Sequence, residues 1–303
     1  MPPSARPGRA QPLSLALSGG GAKCAAQVGV LAVLDEARLP VGALAGTSGG
    51  GMVAILYGLG FSPPAILDYF ANTHLLEVWD LDPDRRAVFG TEKIRARIRS
   101  MVGDKTFADL KMPVTVVAAD MVTKREVDIS SGPLVDAMLA TMAIPVVFAP
   151  VVQGNVILVD GGVLNPLPTD VARRQGPRMV AVDVLHDSFH NPTSQMFEAR
   201  GPMRYATEVI RRLGMTAMLD SANEAVAILL LQLTELNLRL HPPDVLLQPE
   251  VGSVGLFAFD LSYQAFQAGE ATARAALPKL ESLARPSART RLALAWRRMR
   301  RAR

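Results

Sequence analysis

Short apolar runs alternate with longer segments of helical character through the first two thirds of the chain. Leu13 to Leu17, Val41 to Ala45, Val114 to Ala119, Val156 to Val159 and Met179 to Leu185 are almost free of charge. Runs of this length bounded by turn residues are the mark of strands buried on both faces. Between the first of them, Ala22 to Ala37 and Gly50 to Gly58 read as helices. Strand and helix in alternation predict an α/β fold, a three-layer α/β/α sandwich around a mostly parallel sheet. Helix starts are signposted at Ser62-Pro63-Pro64, Thr91-Glu92 and Ser131-Gly132-Pro133, where a capping residue precedes or meets proline in the first turn. Residues 61–112 thus read as a mainly helical insertion. Residues 186–240 turn helical again, with Met196, Phe197, Met203, Met215 and Met218 scattered through them. Methionine adapts to irregular partners, so this region reads either as ordinary helix packing or as an apolar lid.

Composition bounds this picture. With 49% apolar residues among 303, the chain has enough material for a substantial core in one large or two small domains. The charge is uneven. Eight of the 32 basic residues are arginines in 285–303, where there is no acid, so residues 1–284 hold 24 bases against 28 acids. The expected organisation is a disordered segment at 1–12, one domain over 13–284 and a basic tail at 285–303. Within the tail, Leu292, Ala295, Trp296 and Met299 fall at helical spacing. It reads either as a solvated end or as a peripheral contact with an anionic membrane. A basic end without a recognition motif gives no reason to expect nucleic acid. A single cysteine, Cys24, forbids an intramolecular disulfide, and no signal-peptide pattern opens the chain, so a cytoplasmic location is the expectation. The longest apolar run, Ala225 to Leu231, is far short of the roughly 20 residues a bilayer span needs.

Two glycine clusters carry the candidate chemistry. In the first, the run ending at Leu17-Ser18 enters Gly19-Gly20-Gly21-Ala22-Lys23 and then a helix. Glycines at such a junction leave backbone N–H groups uncovered, a setting for a phosphate or an oxyanion. A dinucleotide fingerprint is the weaker reading, because Cys24 occupies its third glycine position and no acid ends the second strand. A Walker loop fails because no serine or threonine follows Lys23.

In the second, Ser48 stands in Gly46-Thr47-Ser48-Gly49-Gly50, between an apolar run and a helix, which is the form of a nucleophile elbow. A serine hydroxyl needs a base. His74, His186, His190 and His241 all lack a glycine-rich or strand-end setting and read as surface or structural residues. Only one strand precedes the elbow's own, which argues against an α/β-hydrolase. A different base stands at Asp160, where an apolar run ends in Asp160-Gly161-Gly162, the strand end at which α/β sheets carry chemistry. An ordinary aspartate, with a pKa near ~3.9, is a feeble base, so burial must raise it.

With these three elements in this order, the chain resembles the patatin-like phospholipases, most of all the compact bacterial members. Gly19 to Lys23 match the family's oxyanion motif, Gly46 to Gly50 its elbow, and Asp160 to Gly162 its Asp-Gly-Gly motif. Further likeness runs through Ser131 to Leu134, Ala143 to Pro150, Asn165 to Pro168 and Ala181 to Val184, and covers about residues 13–185. The resemblance implies a serine acyl hydrolase acting on phospholipids or lysophospholipids, with Ser48 as nucleophile, Asp160 as proton acceptor, backbone donors at Gly19 to Lys23, and no metal or organic cofactor. An acyltransferase with the same pair and a non-catalytic lipid-binding protein on the same fold are the competing readings. Two departures stand out. Cys24 occupies the place of a glycine, where it either packs against the elbow helix or narrows the site. Val146 occupies the place of another, with a pocket wall at stake. The pocket walls themselves are expected from 61–112 and from the helices after 186.

Overall fold

The computed structural model describes residues 10–73, 80, 82–84, 86–187 and 216–285, with side chains placed in these except at 216–220, 222 and 223. His74, His190, Met196, Phe197, Met203 and Met215, most of the segment 1–12 and the basic tail beyond Arg285 lie outside the described residues, as does the side chain of Met218.

The strands are β1 (Leu13–Leu17), β2 (Val41–Thr47), β3 (Val114–Asp120), β4 (Arg125–Ile129), β5 (Val151–Gln153), β6 (Val156–Asp160), β7 (Met179–Val182) and β8 (Val245–Leu247). They form one mixed sheet in the order β5-β6-β3-β2-β1-β7-β8, with β4 paired to β3. From β3 to β8 the pairing is parallel, whereas β4, β5 and β6 add antiparallel strands at the other side. The helices are α1 (Ala25–Glu36), α2 (Gly49–Leu59), α3 (Pro63–Ala71), α4 (Glu92–Val102), α5 (Leu134–Met142), α6 (Thr169–Gln175), α7 (Thr216–Leu240) and α8 (Ser262–Ala284). The α/β reading is right, and α3 and α4 supply the helical character expected of 61–112.

Side-chain alternation explains the layers. Leu13, Leu15 and Leu17 of β1 enter a large core with α1, α2, α3 and α8, while Ala16 enters a smaller one with Val171 and Ala172 of α6. Helices therefore cover both faces, the leucine side carrying the thicker layer. No helix among the described residues is long and apolar enough to cross a membrane.

Several element boundaries shift by a residue or two from the sequence reading, and two larger differences have a visible cause. The expected helix from Ala22 splits into a 3-10 turn at Gly21–Cys24 followed by α1, because Ala22 N–H is drawn to Leu256 O at 2.8 Å. The strand expected to reach Leu185 ends at Val182: Asp183 turns its carboxylate onto Leu185 N–H, closing a local turn that competes with the ladder.

One feature of β3 decides where the site forms. Its first half pairs with β2, ending at Thr47 opposite Val117. Its second half pairs on the same side with β6, whose last residue, Asp160, stands opposite Ala118. The C-terminal ends of β2 and β6 thus meet, head to head, along a single strand edge.

Candidate active site

Ser48 follows β2 and precedes α2, with φ of 54° and ψ of −127°. A left-handed φ on a residue with a Cβ is strained and is held only where the surroundings over-determine it. Here the surroundings are close. A Cβ on Gly46 would stand 2.4 Å from Gly50 O, and one on Gly50 would stand 2.4 Å from Ser18 O. Only glycines let the turn close this tightly. The Ser48 N–H donates to Thr141 Oγ1 at 2.8 Å, and the Thr141 hydroxyl donates to Val117 O at 2.6 Å. Thr141, at the end of α5, therefore ties the elbow to β3.

That tie is testable. Thr141→Val keeps the shape but leaves a buried N–H and a buried carbonyl without partners, at about 1–3 kcal/mol for each such group. The expected result is a fall in melting temperature of roughly 5–10 °C, measured by calorimetry on the purified variant. An unchanged melting temperature removes Thr141 as the brace of the elbow.

Asp160 is 5% exposed and Ser48 8%. The Ser48 side chain and the Gly162 N–H, the latter at 2.7 Å, both hydrogen-bond the Asp160 carboxylate. Burial nonetheless outweighs these bonds and pushes the Asp160 carboxyl up to about 6 from an ordinary 3.8. The condition that the sequence placed on this aspartate is met.

The first glycine cluster lies beside the serine: a Cβ on Gly19 would stand 3.3 Å from Ser48 Cβ. Its five residues are not equivalent. Gly19 N–H is taken by Pro166 O at 3.0 Å, Ala22 N–H by Leu256 O at 2.8 Å and Lys23 N–H by Gly20 O at 3.1 Å. Gly20 and Gly21 donate to no acceptor among the described residues, and their φ of 149° and 54° needs glycine. The open donors narrow to those two amides. Gly21 N stands near the start of α2, 3.2 Å from a Cβ placed on Gly49.

Gly161 completes the close approaches, since a Cβ there would stand 2.4 Å from Val117 O. Lys23 is buried away from the cleft, where desolvation lowers its ammonium pKa and the charge of Asp187 partly offsets that. Cys24 packs rather than narrows. Its Sγ lies behind the loop, 2.7 Å from a Cβ placed on Gly49, donates to Ser18 O at 3.6 Å, and is pushed up by burial so that it stays a thiol. Among the histidines, His186 turns its ring Nδ1 to Asp183 O at 3.1 Å and His241 caps the end of α7; neither enters the site.

Ser48, Gly49 and Met52 open onto an apolar cleft of about 680 Å³, its mouth included. The opposite walls come from Tyr69 and Phe70 of α3, from Thr73 just beyond it and from Ile94 and Arg97 of α4. Met142 at the end of α5, Ile144 and Phe148 beyond it and the pair Phe257 and Phe259 complete the described lining. The expectation of walls from 61–112 is right. Of the region after 186, much lies outside the described residues; among the described lining residues it contributes Phe257 and Phe259, ahead of α8. Val146 forms no wall either. It has φ of 71° and is 75% exposed, so it adopts a glycine-like backbone while its side chain faces out.

The model of one family, the patatin-like phospholipases, matches residues 15–173, a little over half of the chain and the span that holds Ser48 and Asp160. The chain belongs to this family. An uncharacterized NTE family protein of Mycobacterium tuberculosis is 34% identical over 163 residues, 52% of this chain and 44% of that protein. A second from the same organism is 29% identical over 285 residues, 90% of this chain and 48% of that one. Patatin-like phospholipase domain-containing protein 6 of Mus musculus is 30% identical over 181 residues, 57% of this chain and 13% of its own. This patatin-like chain thus spans about half the length of the mycobacterial relatives, and much less of the mouse protein. VipD from Legionella pneumophila shares the fold, with a TM-score of 0.50 and 15% identity, over 92% of this chain and 68% of that one.

Proposed function

We propose that this patatin-like chain is a serine acyl hydrolase that cleaves fatty acyl esters of phospholipids or lysophospholipids through Ser48 and Asp160. The observation that carries the reading is the pairing itself: a serine in a strained elbow, hydrogen-bonded to a buried carboxylate of raised pKa, at the mouth of an apolar cleft.

Ser48 Oγ attacks the ester carbonyl carbon as its proton passes to Asp160. The carbonyl oxygen gains the negative charge and takes hydrogen bonds from Gly20 and Gly21 N–H, each such donor being worth about 3–4 kcal/mol in the transition state. Collapse of the tetrahedral intermediate expels the alcohol, which takes the proton back from Asp160. Water then gives a proton to Asp160 and attacks the acyl-Ser48 carbon, releasing the fatty acid and returning the proton to Ser48. The cleft accepts the acyl chain, since roughly 0.8 kcal/mol per buried methylene favours apolar chains there.

A fluorophosphonate probe tests this without choosing a lipid. The expected result is a single adduct on Ser48. The base must be ionised, and its pKa is raised, so labelling slows as pH falls and is half-maximal near pH 6, with a plateau above about pH 7. A folded chain that never labels, or labels equally at pH 5 and 8, overturns the assignment.

A further inference from the structure

The cleft is mostly apolar, Arg97 is the one charged side chain among its described lining residues, and that arginine is incompletely used. Arg97 projects from α4 one turn beyond Ile94, with which it shares the lining. Its Nη2 donates to Asn72 O at 2.9 Å and to Thr73 Oγ1 at 3.4 Å, which anchors it on the C-terminal end of α3. The guanidinium lies over Tyr69, 5.1 Å from the ring centroid, and desolvation pushes the buried Tyr69 hydroxyl up while the charge of Arg97 and a side-chain hydrogen bond with it act the other way. The Nε–H is shielded from solvent and meets no acceptor. Among the described residues no carboxylate pairs with Arg97, whereas Arg95, two positions away, holds Asp136 at 2.6 Å.

A cation that lines an apolar cleft with a shielded, unmatched donor is unfavourable unless an anion joins it. The anchoring to α3 and to the Tyr69 ring fixes the fork in place, so little side-chain freedom is lost when an oxyanion arrives. A plain helix-to-helix brace accounts for the Nη2 bonds but not for the Nε–H.

We infer that Arg97 is the seat of an oxyanion carried by the ligand of this cleft, so that the ligand is an anionic amphiphile: an apolar chain with a phosphate or carboxylate group. This rests on reading the cleft as the acyl site, and it adds the residue that selects charge there.

The test is equilibrium binding to the full chain of decyl phosphate, decanoate and decanol, each below its aggregation concentration. Wild type is expected to prefer at least one of the two anions over decanol. Arg97→Gln is expected to reduce that preference about 10- to 100-fold, the range for loss of a charge-assisted hydrogen bond, and Arg97→Lys to restore part of it. Preference for decyl phosphate alone assigns a phosphoester source, and equal preference for decanoate assigns any oxyanion. No preference in wild type, or the same preference in Arg97→Gln, overturns the inference. The wild-type comparison needs no variant, and none of these readings needs hydrolysis. A failure of Ser48 to label would therefore leave this result standing.

Discussion

Replacing Ser48 by alanine leaves a folded protein that does not hydrolyse esters. The expected fall in kcat is on the order of 10⁴- to 10⁶-fold, the range seen when the nucleophile of a serine hydrolase is removed. Neither hydroxyl next to Ser48 can take its place: Thr47, its neighbour, directs its hydroxyl to Asn165 O at 2.8 Å, and Thr141 is committed to Ser48 N–H and Val117 O. The fold is expected to survive because alanine carries the same Cβ into the φ of 54° and keeps the N–H bonded to Thr141. The variant also removes one of the hydrogen bonds that hold the Asp160 carboxyl down, so that carboxyl shifts further up. Hydrolysis of a short-chain aryl ester measures the first effect and a melting curve the second. Residual activity above about one per cent of wild type, far more than loss of a nucleophile allows, would remove Ser48 from the chemistry.

Asp160→Asn is the second large effect, and its two signs differ. Activity is expected to fall roughly 10³- to 10⁴-fold, because the amide can still receive the Gly162 N–H but cannot take the serine proton. Stability is expected to rise. A carboxyl whose folded pKa is near 6 and whose ordinary value is 3.8 binds its proton more tightly when folded. Its contribution to stability is present below pH 3.8, falls as pH rises through 3.8–6, and leaves the ionised form disfavoured above that by on the order of 3 kcal/mol. The amide has no charge to bury, so at pH 8 the variant should melt no lower than wild type while showing almost no turnover. Lower stability together with lost activity would mean that the carboxylate is structural. Retained activity would mean that another group is the base.

What was legible in the sequence was local. Ser48 was recognisable because the elbow announces itself through the glycines on either side. Asp160 was recognisable because it ends an apolar run at a Gly-Gly turn. The parallel strands β1, β2 and β3 were legible as short buried runs. Of the antiparallel strands, β6 was legible in the same way but β4 and β5 were not: β5 is three residues long, and β4 is a half-exposed edge strand with charges at Arg125, Glu126 and Asp128. Thr141 was equally silent, because its hydroxyl bonds residues 93 and 24 positions away and no spacing rule connects them. A polar residue in the otherwise apolar end of α5 was the only hint. Arg97 sits among the charged residues of a basic helix and has no pattern that separates it from its neighbours. The narrowing of the donors to Gly20 and Gly21 depends on carbonyls at Pro166 and Leu256, which only the folded chain brings near.

The change of partner along β3 carries one more consequence. Since Thr47 is registered on Val117 and Asp160 on Ala118, the reach from hydroxyl to carboxylate is a pitch along one strand and owes nothing to the length of chain that separates the two residues. The connections between β3 and β6, including the β4 hairpin and β5, are free to lengthen or shorten as long as that pitch and the Thr141 brace on α5 are kept. Under the proposed mechanism, selection on substrate can therefore act on the cleft walls, which arise from those connections and from α3 and α4, without retuning the proton transfer. The chemistry travels with a strand edge, and the choice of ester with the loops.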